Sequence, residues 1–240
     1  MSAAIDSNRL QYLQGASLLG NAKAQYELGT LYDKGLGVKK DVQEAFSWYG
    51  QAAANGFAAA QISLGNCYDK GLGCDEDRKE AVSWYEKASK KKHPVAMRLM
   101  GKAYYFGEGV YRDVIRAFYY FYEAATRGDS LGKFYLGQCY EMGHGIKKST
   151  KIARIWYQEA ADEDIALAQE ALGRCYFEGI GAPVDKPQGI LWYEKAAKQG
   201  IFNSQSRLAE CYYEGDGTDV NYEQAAYWIG RALETRDNAS

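Results

Sequence analysis

The stretch Ala24–Tyr49, AQYELGTLYDKGLGVKKDVQEAFSWY, decides the fold, because related copies follow it at a fixed step of 36 residues. Gly29, Gly65, Gly101, Gly137 and Gly173 hold the step, and Ala209 continues it. Tyr32, Tyr68, Tyr104, Tyr140, Tyr176 and Tyr212 keep the same spacing. So do Trp48, Trp84, Trp156, Trp192 and Trp228, with Tyr120 in the third place. A pair of glycines closes each first segment, from Gly35/Gly37 through Gly71/Gly73, Gly107/Gly109, Gly143/Gly145 and Gly179/Gly181 to Gly215/Gly217. A unit of this length is one supersecondary motif that buries its apolar face only by stacking on its neighbours.

Each unit reads as two helices. In the second, Ala45, Trp48, Tyr49 and Ala52 fall at i, i+3, i+4 and i+7 and share one face. Asp41 marks its start, and the same slot holds Asp77, Asp113, Ser149, Asp185 and Asn221. All are N-cap types, whose side-chain oxygens accept from orphan N–H groups of the first turn. Three residues on stand Glu44, Glu80, Gln188 and Gln224, the partner residue of a capping box. Gly56, Gly128 and Gly200 stand where a helix-ending residue must adopt a left-handed conformation. The first helix spans about Ala24 to Lys34, with Leu28, Leu31 and Tyr32 apolar. A glycine in its middle costs roughly 1 kcal/mol against alanine. Its recurrence predicts that the two helices touch there. The paired glycines are read as a tight turn, because no strand precedes them and no Lys-Ser/Thr follows to make a phosphate loop.

These segments closely resemble the Sel-1-like repeat, a relative of the tetratricopeptide repeat. The resemblance covers about residues 24–236, six 36-residue repeats read as one solenoid domain. Residues 1–23 are read as a partial repeat acting as an N-terminal capping helix, since Tyr12, Ala16 and Gly20 align with Trp48, Ala52 and Gly56; residues 237–240 form a tail. The resemblance implies an all-α fold: antiparallel helix pairs stacked into a right-handed α-solenoid superhelix, with first helices lining the concave side. It also implies an adaptor that holds protein complexes together. Relatives activate a larger enzyme such as chitin synthase, or accompany kinases. Some cysteine-rich bacterial relatives are described as β-lactam-binding hydrolases.

Charge narrows the partner. The net charge is −2 and the isoelectric point near 5.8, whereas phosphate-backbone binders carry a clear Lys/Arg excess. Pentatricopeptide repeats pair helices at a similar period and read RNA, but they lack the Gly-x-Gly turn and the Ala-x-x-Trp-Tyr helix. Nucleic acid is therefore not the expected partner. The N-terminus lacks the basic start and apolar core of a secretory signal, and no stretch approaches the roughly 18 apolar residues of a membrane span. No direct membrane insertion is expected.

The residues that invite chemistry fit the period as structure. Cys67, Cys139, Cys175 and Cys211 share one slot with Leu31 and Ala103, which marks it as core; Cys74 replaces Val38, Val110 and Ile146. Equivalent slots in stacked helices lie roughly 10 Å apart, beyond the ~7 Å Cα reach of a disulfide. A reducing, cytoplasmic location is expected. His93 and His144 lie in separate turns without metal-ligand spacing, and no nucleophile motif occurs. Asp75/Glu76/Asp77, Asp162/Glu163/Asp164 and Lys90–Lys92 read as solvated turn residues, and the sequon Asn238–Ser240 sits at the chain end. No cofactor, metal site or catalytic residue is expected.

Recognition should lie where the repeats differ. By analogy with tetratricopeptide geometry, the inward first-helix slots are those of Tyr26, Thr30, Asp33 and Lys34. From the third repeat their occupants become Arg98, Lys102, Tyr105, Phe106, Phe134, Gln138, Met142, Arg174 and Phe177. Aromatic, Arg and Met enrichment is characteristic of a recognition surface. These nine residues are the expected partner-binding set for a protein or peptide with an apolar anchor and a carboxylate. The alternative is that Tyr105 and Phe106 fill space between repeats. Phe118–Tyr122 on the third repeat's second helix is a candidate second interface. With no evident polar capping helix closing the last repeat, the expectation is either a segment of a longer protein or an end face that self-associates. The sequence thus reads as a non-catalytic scaffold binding a protein segment in the concave groove of a solenoid.

Overall fold

A computed structural model describes residues 6–238; residues 1–5 and 239–240, and with them part of the N-terminal stretch and of the sequon, lie outside the described residues. The described residues are all-α. The helices are α1 Ser7–Leu18, α2 Ala22–Lys34, α3 Val42–Ala54, α4 Ala58–Lys70, α5 Arg78–Lys90, α6 Pro94–Phe106, α7 Val114–Thr126, α8 Ser130–Met142, α9 Thr150–Asp162, α10 Ala166–Glu178, α11 Lys186–Lys198, α12 Phe202–Glu214 and α13 Tyr222–Asp237. They divide into two compact units, Met1–Ala124 and Ala125–Ser240. Within each unit the helices stack as sequential pairs, the arrangement of an α-solenoid: α2 packs on α3 and α3 on α4 in the first, α10 on α11 and α11 on α12 in the second.

The expected N-caps form. Asp41 accepts from the amides of Gln43 and Glu44, and Asp77 from those of Lys79 and Glu80. Asp113, Ser149, Asp185 and Asn221 cap their helices in the same way. The reciprocal half of the capping box is absent among the described residues, however. The cap amide donates to the carbonyl of the recurring tyrosine nine residues earlier: Asp41 to Tyr32 at 2.9 Å, Asp77 to Tyr68 at 2.8 Å, Asn221 to Tyr212 at 2.7 Å. The Gly-x-Gly turn brings that carbonyl to the cap, which leaves the Glu or Gln without its usual acceptance of that bond. Gly35 takes the left-handed conformation at φ 66° and closes α2 on the carbonyl of Leu31. The second glycine of the turn serves stacking. A Cβ on Gly73 would stand 2.4 Å from the carbonyl oxygen of Val42, and one on Gly181 2.3 Å from that of Thr150.

Small residues let the pairs approach. The second-helix tyrosines, Tyr49, Tyr85, Tyr157 and Tyr193, are buried, each worth roughly 1.5–3 kcal/mol by apolar burial. Each ring lies on the mid-helix glycine of its first helix. Neighbouring pairs are also stapled: Gln25, Gln61, Gln169 and Gln205 donate Nε2 to the carbonyls of Ser17, Ala53, Ala161 and Ala197, eight residues earlier in each case. Each of these carbonyls also accepts from a backbone amide of the turn that follows, those of Gly20, Gly56, Asp164 and Gly200, so the glutamine adds a second bond that ties the next first helix to it. The cysteine slot is core: Cys67, Cys139, Cys175 and Cys211 are buried free thiols, and Cys74 is a half-buried one. No helix among the described residues is long and apolar enough to cross a membrane.

Candidate functional site

In the first unit, the expected recognition residues gather on α6, with Phe106 exposed and Arg98, Lys102 and Tyr105 half-buried. Arg98, Lys102 and Phe106 follow at i, i+4 and i+8, with Tyr105 beside them. Phe106 is 53% exposed and meets the Tyr105 ring edge-on at 5.0 Å. Tyr105 also packs on the buried ring of Phe121, 6.2 Å away. It therefore supports the stripe from below.

Lys102 is set apart by what lies beneath it. In the first two repeats the same slot engages the second-helix tyrosine: Tyr49 Oη donates to Thr30 Oγ1 at 3.5 Å, and Tyr85 Oη to Asn66 Oδ1 at 2.8 Å. In the third repeat Phe121 replaces that tyrosine and offers no hydroxyl. Lys102 makes no hydrogen bond or ion pair among the described residues. The α6 face thus presents a half-buried ammonium next to aromatic surface.

In the second unit, Arg174 on α10 is anchored by Glu141 on α8. Its Nη2 donates to Oε1 at 2.7 Å and to Oε2 at 2.8 Å, and Tyr157 Oη donates to Oε2 at 2.7 Å. Burial works against the Arg174 charge, but the bonds and charge of Glu141 outweigh it and hold the guanidinium above its usual range. Burial first, then Glu141, pushes the Tyr157 phenol upward, so it stays a donor. Arg174 lines a depression of about 300 Å³ with Glu170, Glu178, Tyr193, Asn203 and Arg207. Arg207 covers the Phe177 ring at 4.6 Å.

The nine expected residues therefore split. Arg98, Lys102, Tyr105 and Phe106 share one helix face; Gln138 is half-buried, Met142 is 57% exposed and Arg174 is partly exposed in the second unit. Phe134 and Phe177 do not face a groove. They are 6% and 3% exposed and pack on the buried rings of Tyr157 and Tyr193, at 5.9 and 6.0 Å. Their slots serve packing wherever an aromatic side chain meets the second-helix ring. Sequence reasoning missed Glu141, Tyr157 and Arg207; the signal was a single Glu standing between Tyr105 and Phe177 in its column, where the other carboxylates are the Asp of the first two repeats. On α7, Phe118 is half-buried while Tyr119 and Tyr122 are exposed.

The thiols are poor nucleophiles. Burial pushes Cys67 and Cys139 up to about 12, and Cys175 and Cys211 to about 11. Among the described residues no three His, Cys, Asp or Glu side chains come together as metal ligands.

Stacked helix pairs with constant packing slots and variable first-helix faces define a helical-repeat protein. The Sel1 repeat model matches residues 22–57, 58–93, 94–129, 130–165, 166–201 and 203–234, and the chain belongs to that family. A Sel1 repeat protein from Oxalobacter formigenes is similar at 35% identity and a TM-score of 0.85, covering 92% of this chain and 91% of that one. The protective antigen c5321 of uropathogenic Escherichia coli, which displays the SLR fold, is similar at 34% identity and a TM-score of 0.84 over 94% of this chain. The chain spans 48% of that antigen's length. The immunity protein Pa5087 of Pseudomonas aeruginosa shares the fold at 18% identity, a TM-score of 0.59, and coverage of 89% of this chain and 81% of that one. The comparison with curated proteins found no match.

Proposed function

We propose that the protein is a non-catalytic adaptor that binds a segment of another protein along its first-helix faces. The observation that carries this is Lys102: a half-buried cation without a partner among the described residues, one helical turn from the exposed Phe106 ring. An ammonium held beside aromatic surface suits a carboxylate followed by an apolar side chain. Arg174, Gln138 and Met142 offer a similar mixture in the second unit. The Pseudomonas neighbour is named an immunity protein, which agrees with a repeat surface used for protein recognition. Five free cysteines support a reducing compartment, the cytoplasm in the simplest case.

Affinity capture with mass spectrometry tests the proposal, comparing the native chain with Lys102→Glu/Phe106→Ala. Specific partners should be retained by the first and lost by the second, with helical content and melting nearly unchanged. Partner sets that are identical for both chains would remove the α6 face from consideration.

A further inference from the structure

We infer that the face formed by α12 and α13 is a self-complementary surface that pairs two copies of the chain antiparallel about a two-fold axis. This face is a groove of about 340 Å³, lined by Phe202, Ser206, Tyr213, Ile229 and Leu233 among others. Phe202, Tyr213, Ile229 and Leu233 are between 42% and 63% exposed. Large apolar side chains clustered in one groove mark an interaction site rather than ordinary surface scatter.

The chain's internal repeats show that this groove is not shaped for another repeat. The slot of Leu233 holds Ala53, Ser89, Ala125, Ala161 and Ala197, and each of these is buried. At Ala53, Ala161 and Ala197 the next first helix comes close enough for its glutamine to bond the carbonyl. Leucine fills the space that this approach needs. The end of the helix differs too. Gly20, Gly56, Lys92, Gly128, Asp164 and Gly200 turn the chain with positive φ, whereas α13 runs through the equivalent Arg236 as continuous helix. The face keeps its apolar character but departs from the stacking geometry of the repeats.

Charge selects the occupant. Arg236 lines the groove at the end where α12 begins, and Glu210 and Glu214 line it where α12 ends. Tyr213 and Tyr222, 5.6 Å apart, confirm that α13 starts beside the end of α12. An antiparallel two-fold pairing sets Arg236 of one copy against Glu210 and Glu214 of the other, twice over. Such reciprocity is what a closed isologous interface requires. Arg207 pairs with Glu210 and Arg236 with Asp237 on exposed surface, where ion pairs contribute little. The pairing uses none of the α6 residues, so its failure and that of the adaptor reading are separable.

Sedimentation velocity over a micromolar concentration series tests the inference. The native chain should move from one to two chain masses. Leu233→Glu should weaken the pairing about tenfold or more, since it places a charge in the apolar centre. Arg236→Glu and Glu214→Arg, both at exposed positions, should each weaken it alone, and an equimolar mixture of the two should regain dimers. A native chain monomeric throughout the series overturns the inference and leaves the face to a helix of another protein. A dimer indifferent to Leu233→Glu and to both charge reversals places the contact elsewhere and overturns it equally.

Discussion

A methyl group added to Gly101 would stand 2.6 Å from Cδ1 of Phe121, inside a ring that is itself fully buried. The same closeness recurs between Gly65 and Tyr85 at 2.5 Å, and between Gly137 and Tyr157 at 2.6 Å. The sixth repeat provides the control within the chain. There Ile229 replaces the ring and Ala209 replaces the glycine. The mid-helix glycine therefore exists for the aromatic side chain opposite it.

Gly101→Ala should accordingly destabilise the protein, although alanine gains roughly 1 kcal/mol in helix propensity. Overpacking a rigid ring costs about 1–3 kcal/mol, so a net loss of about 1–2 kcal/mol is expected in urea denaturation. In a Phe121→Ile background the same change should be neutral or stabilising, as the sixth repeat implies. Equal losses in both backgrounds would show that the glycine serves something other than the ring.

The Glu141 cluster makes a second prediction. Tyr157→Phe removes a hydrogen bond to a buried carboxylate, a class of bond worth about 1.5–3 kcal/mol. In a Glu141→Gln background the loss should shrink, because the acceptor no longer carries charge. A double-mutant cycle measures the coupling. Strict additivity would mean that Tyr157 and Glu141 act independently.

Thiol labelling reports the core directly. Cys74 is half-buried and the other four cysteines are buried. At mildly alkaline pH, native protein should show one accessible thiol reacting well ahead of the rest, and denatured protein five. Cys74→Ser should abolish the early phase. A second thiol reacting at the same rate would place one of the repeated cysteines at the surface.

Alkaline pH should unfold the chain, with the sign set by those thiols. Burial holds Cys67 and Cys139 at about 12 and Cys175 and Cys211 at about 11, whereas an unfolded thiol titrates near ~8.5. The folded state binds the proton more tightly. The stabilisation is therefore complete below the unfolded value and falls as pH rises toward the folded one, by up to about 1.4 kcal/mol per pH unit for each thiol. Denaturation midpoints should fall increasingly steeply from about pH 8.5 upward. Replacing the four repeated cysteines with alanine should flatten that fall up to about pH 10, where tyrosines begin to contribute. An unchanged slope in that variant would assign the alkaline loss to other groups.

Much of the fold was legible because every local signal recurred in register. The caps at Asp41 and Asp77, the turn at Gly35 and the glycine–ring contact each follow from one residue type at one slot. The site was less legible. A first-helix column tells which residues vary, but not whether a given side chain turns outward or onto the ring behind it. Phe134 and Phe177 turn inward because an aromatic side chain gains more by stacking on Tyr157 and Tyr193 than by facing water. Glu141 turns inward because Tyr157 and Arg174 satisfy it there. The capping-box expectation failed for a related reason: the tyrosine carbonyl that replaces the Glu or Gln side chain is brought in by the folded turn, not by spacing within the helix.

The most direct test of the adaptor account is hydrogen–deuterium exchange on the chain with a captured partner bound. The account predicts added protection on α6, Pro94–Phe106, and none on the outer face of α7 around Ile115, Tyr119 and Tyr122. Protection at α7 with α6 unchanged would contradict it.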